Sequence, residues 1–179
     1  LELCVIAEEL GRFLAPVPFS SSVYLFTEAI IKYGSEEMKK DLLPKLVSGD
    51  VIGTLAVTED LFAPSKDNIK LSCESGKING KKIAVPDASI ATHALVVAKS
   101  EKGICLQIAD LSHEGVSIEH QENIDESRGH FSITFDGVDT QAIGDEISGW
   151  DIYESIINQA AVLFAYEQIG GSQASLDMA

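Results

Sequence analysis

Apolar and polar positions alternate in three regimes along the chain. Over "ELCVIAEELGRFL", residues 2 to 14, Leu3, Ile6, Ala7, Leu10 and Leu14 recur at steps of three and four, which predicts one amphipathic helix. "APVP" breaks it. "SSSVYLFTEAIIKYG" restarts the helical pattern behind serine caps and closes at Gly34, a C′ signal. "SEEMKKDLLPKLVSGD" then offers Ser35 as N-cap with acidic residues in the first turn, and its interior Pro44 predicts two short helices.

From Val51 the period changes. Segments 51–57, 69–74, 77–85, 94–99, 103–110, 116–119 and 131–135 read as strands. Ser75-Gly76, Asn79-Gly80, Lys102-Gly103, Glu114-Gly115 and Asp136-Gly137 punctuate them as turns. Short strands at this spacing predict an antiparallel barrel or sandwich. Near Gly149 the helical period returns, with Ile152, Ile156, Ala160, Leu163, Phe164 and Ile169 on a broad apolar face. The expectation is an α+β chain: helices over 1–50, a β domain over 51–148, and over 149–179 the first helix of a helical bundle. Leu1 begins inside a helical pattern and the last helix runs to Ala179 without a stop signal, which reads as a piece of a longer protein.

Composition narrows the classes. Thirteen basic against 28 acidic residues give a formal charge of −15, which argues against nucleic acid as a partner. No uncharged apolar run approaches the ~20 residues of a membrane span, and no signal peptide is visible, so a cytoplasmic setting is expected. Cys4, Cys73 and Cys105 have neither disulfide-framework nor zinc spacing, and the four histidines are dispersed, so no metal site is expected.

The run "VIGTLAVTED" poses the functional question. It is apolar enough to be covered on both faces, yet it stops at a hydroxyl and two carboxylates. Glu59 at such a tip reads as a loop anchor rather than a catalytic acid.

The order of helices, β domain and long helix becomes specific through its words: "AEELGRFLAPVPF", "YGSEEMKKDLLPKLVSGDVIGTLAVTE", "GKINGKKIAVPDASIATHALVVA", "FDGV" and "AYEQIGGSQASLDMA". In this order they resemble the acyl-CoA dehydrogenases, FAD-dependent enzymes that desaturate acyl-CoA thioesters between the α and β carbons. The resemblance runs over nearly the whole chain. It implies FAD as cofactor, acyl-CoA as substrate in fatty acid β-oxidation, an electron-acceptor flavoprotein or other acceptor, and a homo- or hetero-oligomer.

It also implies that Leu55, Val57 and Thr58, at the end of the first strand, meet the pyrimidine edge of the flavin. Donors there stabilise the charge that develops as hydride reaches the ring. Ala84 and Pro86 stand where relatives carry a tryptophan against the ring and a threonine bonding N5, as in a branch with a Val-Pro-Asp-Ala segment. "DLFAPSKDN" replaces a Gly-Ser-rich phosphate loop; Pro64 takes the place of the usual serine, and its neighbour Ser65 is the substrate-binding candidate.

The catalytic base is expected beyond Ala179. Where a minority of the family carries it, this chain has Ala160, and neither Glu154 nor Glu167 is assigned that role. These residues alone are therefore expected to be inactive. Ile156, Leu163 and Phe164 are expected to lie uncovered and drive self-association. Arg128 reads as a contact to the substrate or flavin region or as a buried ion pair, Trp150 as junction packing rather than ring stacking, and Gly170-Gly171 as a close helix contact in preference to a flavin-phosphate site. The alternatives are a non-catalytic or partner-dependent relative, or a related flavin oxidase or monooxygenase.

Overall fold

The structure, a computed structural model, describes residues 1–125 and 127–179. Helix α1 spans Glu2–Arg12. A π-wound segment, Ser20–Thr27, runs directly into α2, Glu28–Tyr33. Helix α3, Glu36–Ser48, follows. The strands are β1 (Gly53–Ala56), β2 (Ser72–Glu74), β3 (Lys77–Pro86), β4 (His93–Lys99), β5 (Ile104–Asp110), β6 (Val116–Gln121) and β7 (His130–Ile143). Helix α4, Gly149–Met178, closes the chain.

The expected α+β architecture of helices, barrel and long helix is what folds. Strands β4, β5, β7, β3 and β2 pair in a ring. Its last join is made by Ser72 beside Lys99 and by the Lys99 amide donating to the Leu71 carbonyl at 2.8 Å. β6 adds to β7, and β1 adds to the β4 edge. The β1–β4 pair is parallel, a local departure from the antiparallel expectation. It arises because β1 enters from the helices and shares with β2 the β4 edge that β5 leaves open.

This topology answers why the strands are so apolar. Leu95 and Val97 of β4 and Leu106 and Ile108 of β5 pack outward under the helices. Ala94, Val96, Ala98, Cys105 and Ala109, the alternate positions, fill the barrel interior. Both faces are therefore dry, and β1 is buried at every residue.

Several expectations are corrected. Helix α3 passes through Pro44 as one helix. Met38 and Leu42 before the proline and Leu46 after it pack on the same core, which holds both halves in line despite the missing amide donor. Gly34 ends α2 in an extended conformation, not the left-handed one; Gly49, at φ 82°, provides the left-handed cap, for α3. Ser35 caps α3 as expected, its Oγ accepting from the Met38 amide at 3.2 Å. The hairpin turn is Ser75-Gly76, whereas Asn79-Gly80 and Asp136-Gly137 lie within β3 and β7. There the register slips between Ile78 and Gly80, opposite Phe135–Val138. The glycines serve a bulge, so β7 continues to Ile143.

The inward face of α1 is Leu3, Ala7 and Gly11; Ile6 and Leu14 are exposed. Helix α4 crosses α1 backbone to backbone. A Cβ on Gly11 would stand 1.9 Å from the Glu167 carbonyl oxygen, and one on Gly170 would stand 1.9 Å from that of Glu8. Gly170 is thus a packing residue. Ile156 is buried, and Leu163 and Phe164 pack on the same core, with Phe164 edge-on to Tyr24. The stripe expected to be bare is covered by the helical core; the exposed large apolar residues of α4 are Val162, Ile169, Leu176 and Met178. No described helix is long and apolar enough to cross a membrane.

Candidate functional site

The end of β1 and the end of β3 lie side by side. The Ile83 amide donates to the Thr58 carbonyl at 2.8 Å. The buried Thr54 hydroxyl donates to the Pro86 carbonyl at 2.6 Å. The stretches that carry Leu55, Val57 and Thr58 on one side and Ala84 and Pro86 on the other are thereby brought together. Leu55 and Val57 turn their side chains into the helix-facing core, so they offer a ligand only their backbone. Thr58 is half-buried, and its ladder bond uses the carbonyl, leaving the hydroxyl outside the ladder.

The β3 end is conformationally unusual. Ala84 has φ 52° and Asp87 φ 57°. Left-handed backbone at alanine is uncommon, and such conformations gather at functional sites. Register also slips between Lys82 and Val85. Ala84 is exposed, and its amide is occupied by the Gln121 side chain at 2.7 Å. Pro86 is half-buried and contributes only its carbonyl.

Asp87 anchors this turn to the helices. Its carboxylate pairs with the Arg128 guanidinium and accepts from the Ser21 hydroxyl. Arg128 also donates to Ser20 Oγ at 2.6 Å and to Ser21 Oγ at 3.1 Å. Of the readings open for Arg128, the ion pair is present. Arg128 also lines a groove of about 630 Å³ between α1 and α4, walled by Leu10, Leu14, Val17, Phe19 and Phe164 and edged by Glu167. Beside it, burial and the Glu167 carboxylate push the Tyr24 phenol pKa well up. The groove and the β3 end thus share one polar knot.

Glu59 is a loop anchor. Its carboxylate accepts from the amides of Lys70, at 2.8 Å, and Leu71, at 3.0 Å, and from Lys82 Nζ at 2.6 Å. Lys82 and Asp87 are the members of the arrangement that the sequence reading did not single out. Both lie in the quoted "KKIAVPDAS", but nothing in its period says that a lysine there is fully buried.

Ser65 stands apart. Its amide binds Asn68 Oδ1 at 2.7 Å in the loop between β1 and β2, and that loop is tied to α4 by Lys66 and Asp151 at 2.9 Å. Ala160 is buried against the helical core. Glu154 accepts from Trp150 Nε1 at 2.7 Å, and Trp150 is packed at the α4 start, where a Cβ on Gly149 would strike the Cys105 backbone at 2.4 Å.

Comparison with known proteins shows what this arrangement of helices, closed barrel and long crossing helix resembles. The family model for the acyl-CoA dehydrogenase N-terminal domain matches residues 1–50. The mitochondrial isovaleryl-CoA dehydrogenase of Oryza sativa subsp. japonica is 27% identical over 98% of this chain and 47% of its own length. A solved Tcur3481-Tcur3483 steroid ACAD variant is 28% identical, with TM-score 0.81 over 98% of this chain and 47% of that one. A glutaryl-CoA dehydrogenase from Mycobacterium smegmatis, solved in complex with FADH2, shares the fold at TM-score 0.80 and 23% identity, over 88% of this chain and 43% of that one. The chain is thus similar to acyl-CoA dehydrogenases along nearly its whole extent, and its first fifty residues match that family's N-terminal domain. It spans about half the length of the relatives it matches across nearly its whole extent.

Proposed function

We propose that this chain forms part of an FAD-dependent dehydrogenase that removes hydrogen from the α and β carbons of an acyl-CoA thioester. The observation that carries the reading is the juxtaposition of the Leu55–Thr58 strand end with the Ala84–Asp87 turn. When bound, FAD would supply the hydride acceptor. Thr58 and the backbone of Leu55 and Val57 would hold its pyrimidine edge by donating to it, which favours the negative charge that grows there. The residues fit a flat ring approached from one side: Ala84 and Pro86 leave low relief, and the Leu55 and Val57 side chains point away into the core.

The apolar groove with Arg128 at its rim suits an acyl chain, and Ser65 is the proposed contact for the CoA portion. The base that takes the α proton is not assigned to any of these residues; Ala160 has no proton chemistry. We take residues 1–50, 51–148 and 149–179 as the corresponding domains. The proposed partners are an acyl-CoA, a flavoprotein or other electron acceptor, and further subunits, in a cytoplasmic setting.

The test is anaerobic addition of acyl-CoAs to the flavin-loaded full-length enzyme of which this chain is proposed to form part. Bleaching of the flavin absorbance is expected, and an unchanged spectrum across short, branched and bulky acyl groups would overturn the reading.

A further inference from the structure

The strand end that the proposed function gives to the flavin is held by a buried cation behind it. Lys82 is 0% exposed. Its Nζ donates to the Val57 carbonyl at 3.0 Å and to Glu59 Oε1 at 2.6 Å. Glu59 holds the Lys70 and Leu71 amides in turn. One ion pair therefore joins β3, the end of β1 and the start of the return to β2. The loop it closes carries exposed apolar residues, with Leu61 98% and Phe62 74% exposed, so burial of its own side chains does not hold it. A charge so deeply buried is costly unless paired and hydrogen-bonded, and a lysine used only for solubility would not sit there.

The bond to Val57 has a directional consequence. A trans peptide points its N–H opposite to its C=O, and the described residues contain no cis bond. With the Val57 carbonyl held on the buried ammonium, the Thr58 amide is aimed away from it. The Thr58 carbonyl is meanwhile fixed by Ile83.

We propose that Lys82 is a positioning residue for the flavin: it pins the Val57–Thr58 peptide so that the Thr58 amide and hydroxyl are presented together, and through Glu59 it ties down the loop that follows. This rests on the flavin reading above. Lys82 touches neither cofactor nor substrate; it acts through Val57 and Thr58.

The test compares FAD affinity by flavin fluorescence, the absorption spectrum of the bound flavin, and amide exchange, in wild type, Lys82→Met and the double variant Lys82→Met/Glu59→Gln. The double variant removes both charges, so no lone carboxylate is left buried and folding is protected. Lys81→Met, on the exposed neighbour that pairs with Glu119, is the control. The expected result is an FAD dissociation constant raised about ten-fold in the double variant, from loss of the pinned donors, with a shifted flavin spectrum and faster exchange at Lys70 and Leu71. Lys81→Met should match wild type. Wild-type affinity and spectrum in a folded double variant would overturn the positioning role. Absence of FAD binding by wild type itself would instead bring down the flavin reading, and this inference with it.

Discussion

At the scale of single residues, Thr58 carries the most direct expectation. Its hydroxyl is the one side-chain donor assigned to the flavin edge, and Thr58→Val keeps the shape while removing it. Loss of one such bond is worth ~1 kcal/mol, or roughly a five-fold weaker FAD affinity by fluorescence titration, with the unfolding midpoint unchanged. Arg128 predicts the reverse pattern. Arg128→Ala leaves the Asp87 carboxylate, Ser20 and Ser21 without their common donor. Unfolding in urea should show a loss of ~1–3 kcal/mol, because a nearly buried carboxylate loses its charged partner. Lys82 adds a pH signature. Burial pulls its pKa from 10.5 down to about 8, with Glu59 opposing the shift. Between those values the unfolded chain retains a proton that the folded chain has released. Stability therefore rises with pH through this window, by at most ~1.4 kcal/mol per pH unit, relative to Lys82→Met. Urea unfolding of both proteins across the window checks the sign.

At the scale of elements, the α1–α4 crossing depends on two positions without side chains. Gly11→Ala puts a methyl against the Glu167 backbone, which cannot move aside as a flexible side chain could. Overpacking of this kind costs ~1–3 kcal/mol, and the same is expected of Gly170→Ala. Thermal unfolding would show it, and wild-type stability in both variants would mean that the helices do not meet there. This crossing also marks the limit of reading by hydrophobic period. Leu3 and Ala7 were legible as an inward face, but a contact made by backbone leaves only glycines, which a hydropathy stripe passes over, so Ile6 and Leu14 were put on the wrong side. Pro44 failed as a breaker for the opposite reason: Met38, Leu42 and Leu46 supply tertiary packing on both sides of it. Strand positions were easier, since β4 and β5 are buried on both faces and read as apolar runs, broken in β5 only by the buried Gln107. The pairing of β1 with β4 was not legible, because nothing local in "GTLA" specifies a partner forty residues away.

At the scale of the molecule, the helices and barrel meet through the Asp87–Arg128–Ser20–Ser21 knot, and the same β3 end meets the β1 end. The wording of the sequence pointed to Thr58, Ala84 and Pro86 as one site, and the fold sets their segments side by side. Its supports, Lys82 and Asp87, needed the three-dimensional arrangement, since burial of a charge is decided by what closes over it. A protein limited to these residues is expected to give no acyl-CoA-dependent dye reduction: Ala160 is inert, and Glu154 is engaged by Trp150. Steady turnover by it would place the base within residues 1–179. The central claim, that the paired strand ends receive the flavin, is tested most directly by amide hydrogen exchange with and without FAD. The account predicts slowed exchange at Thr58 and across Ile83–Ala88. Protection confined to other segments, or no protection at saturating FAD, would contradict it.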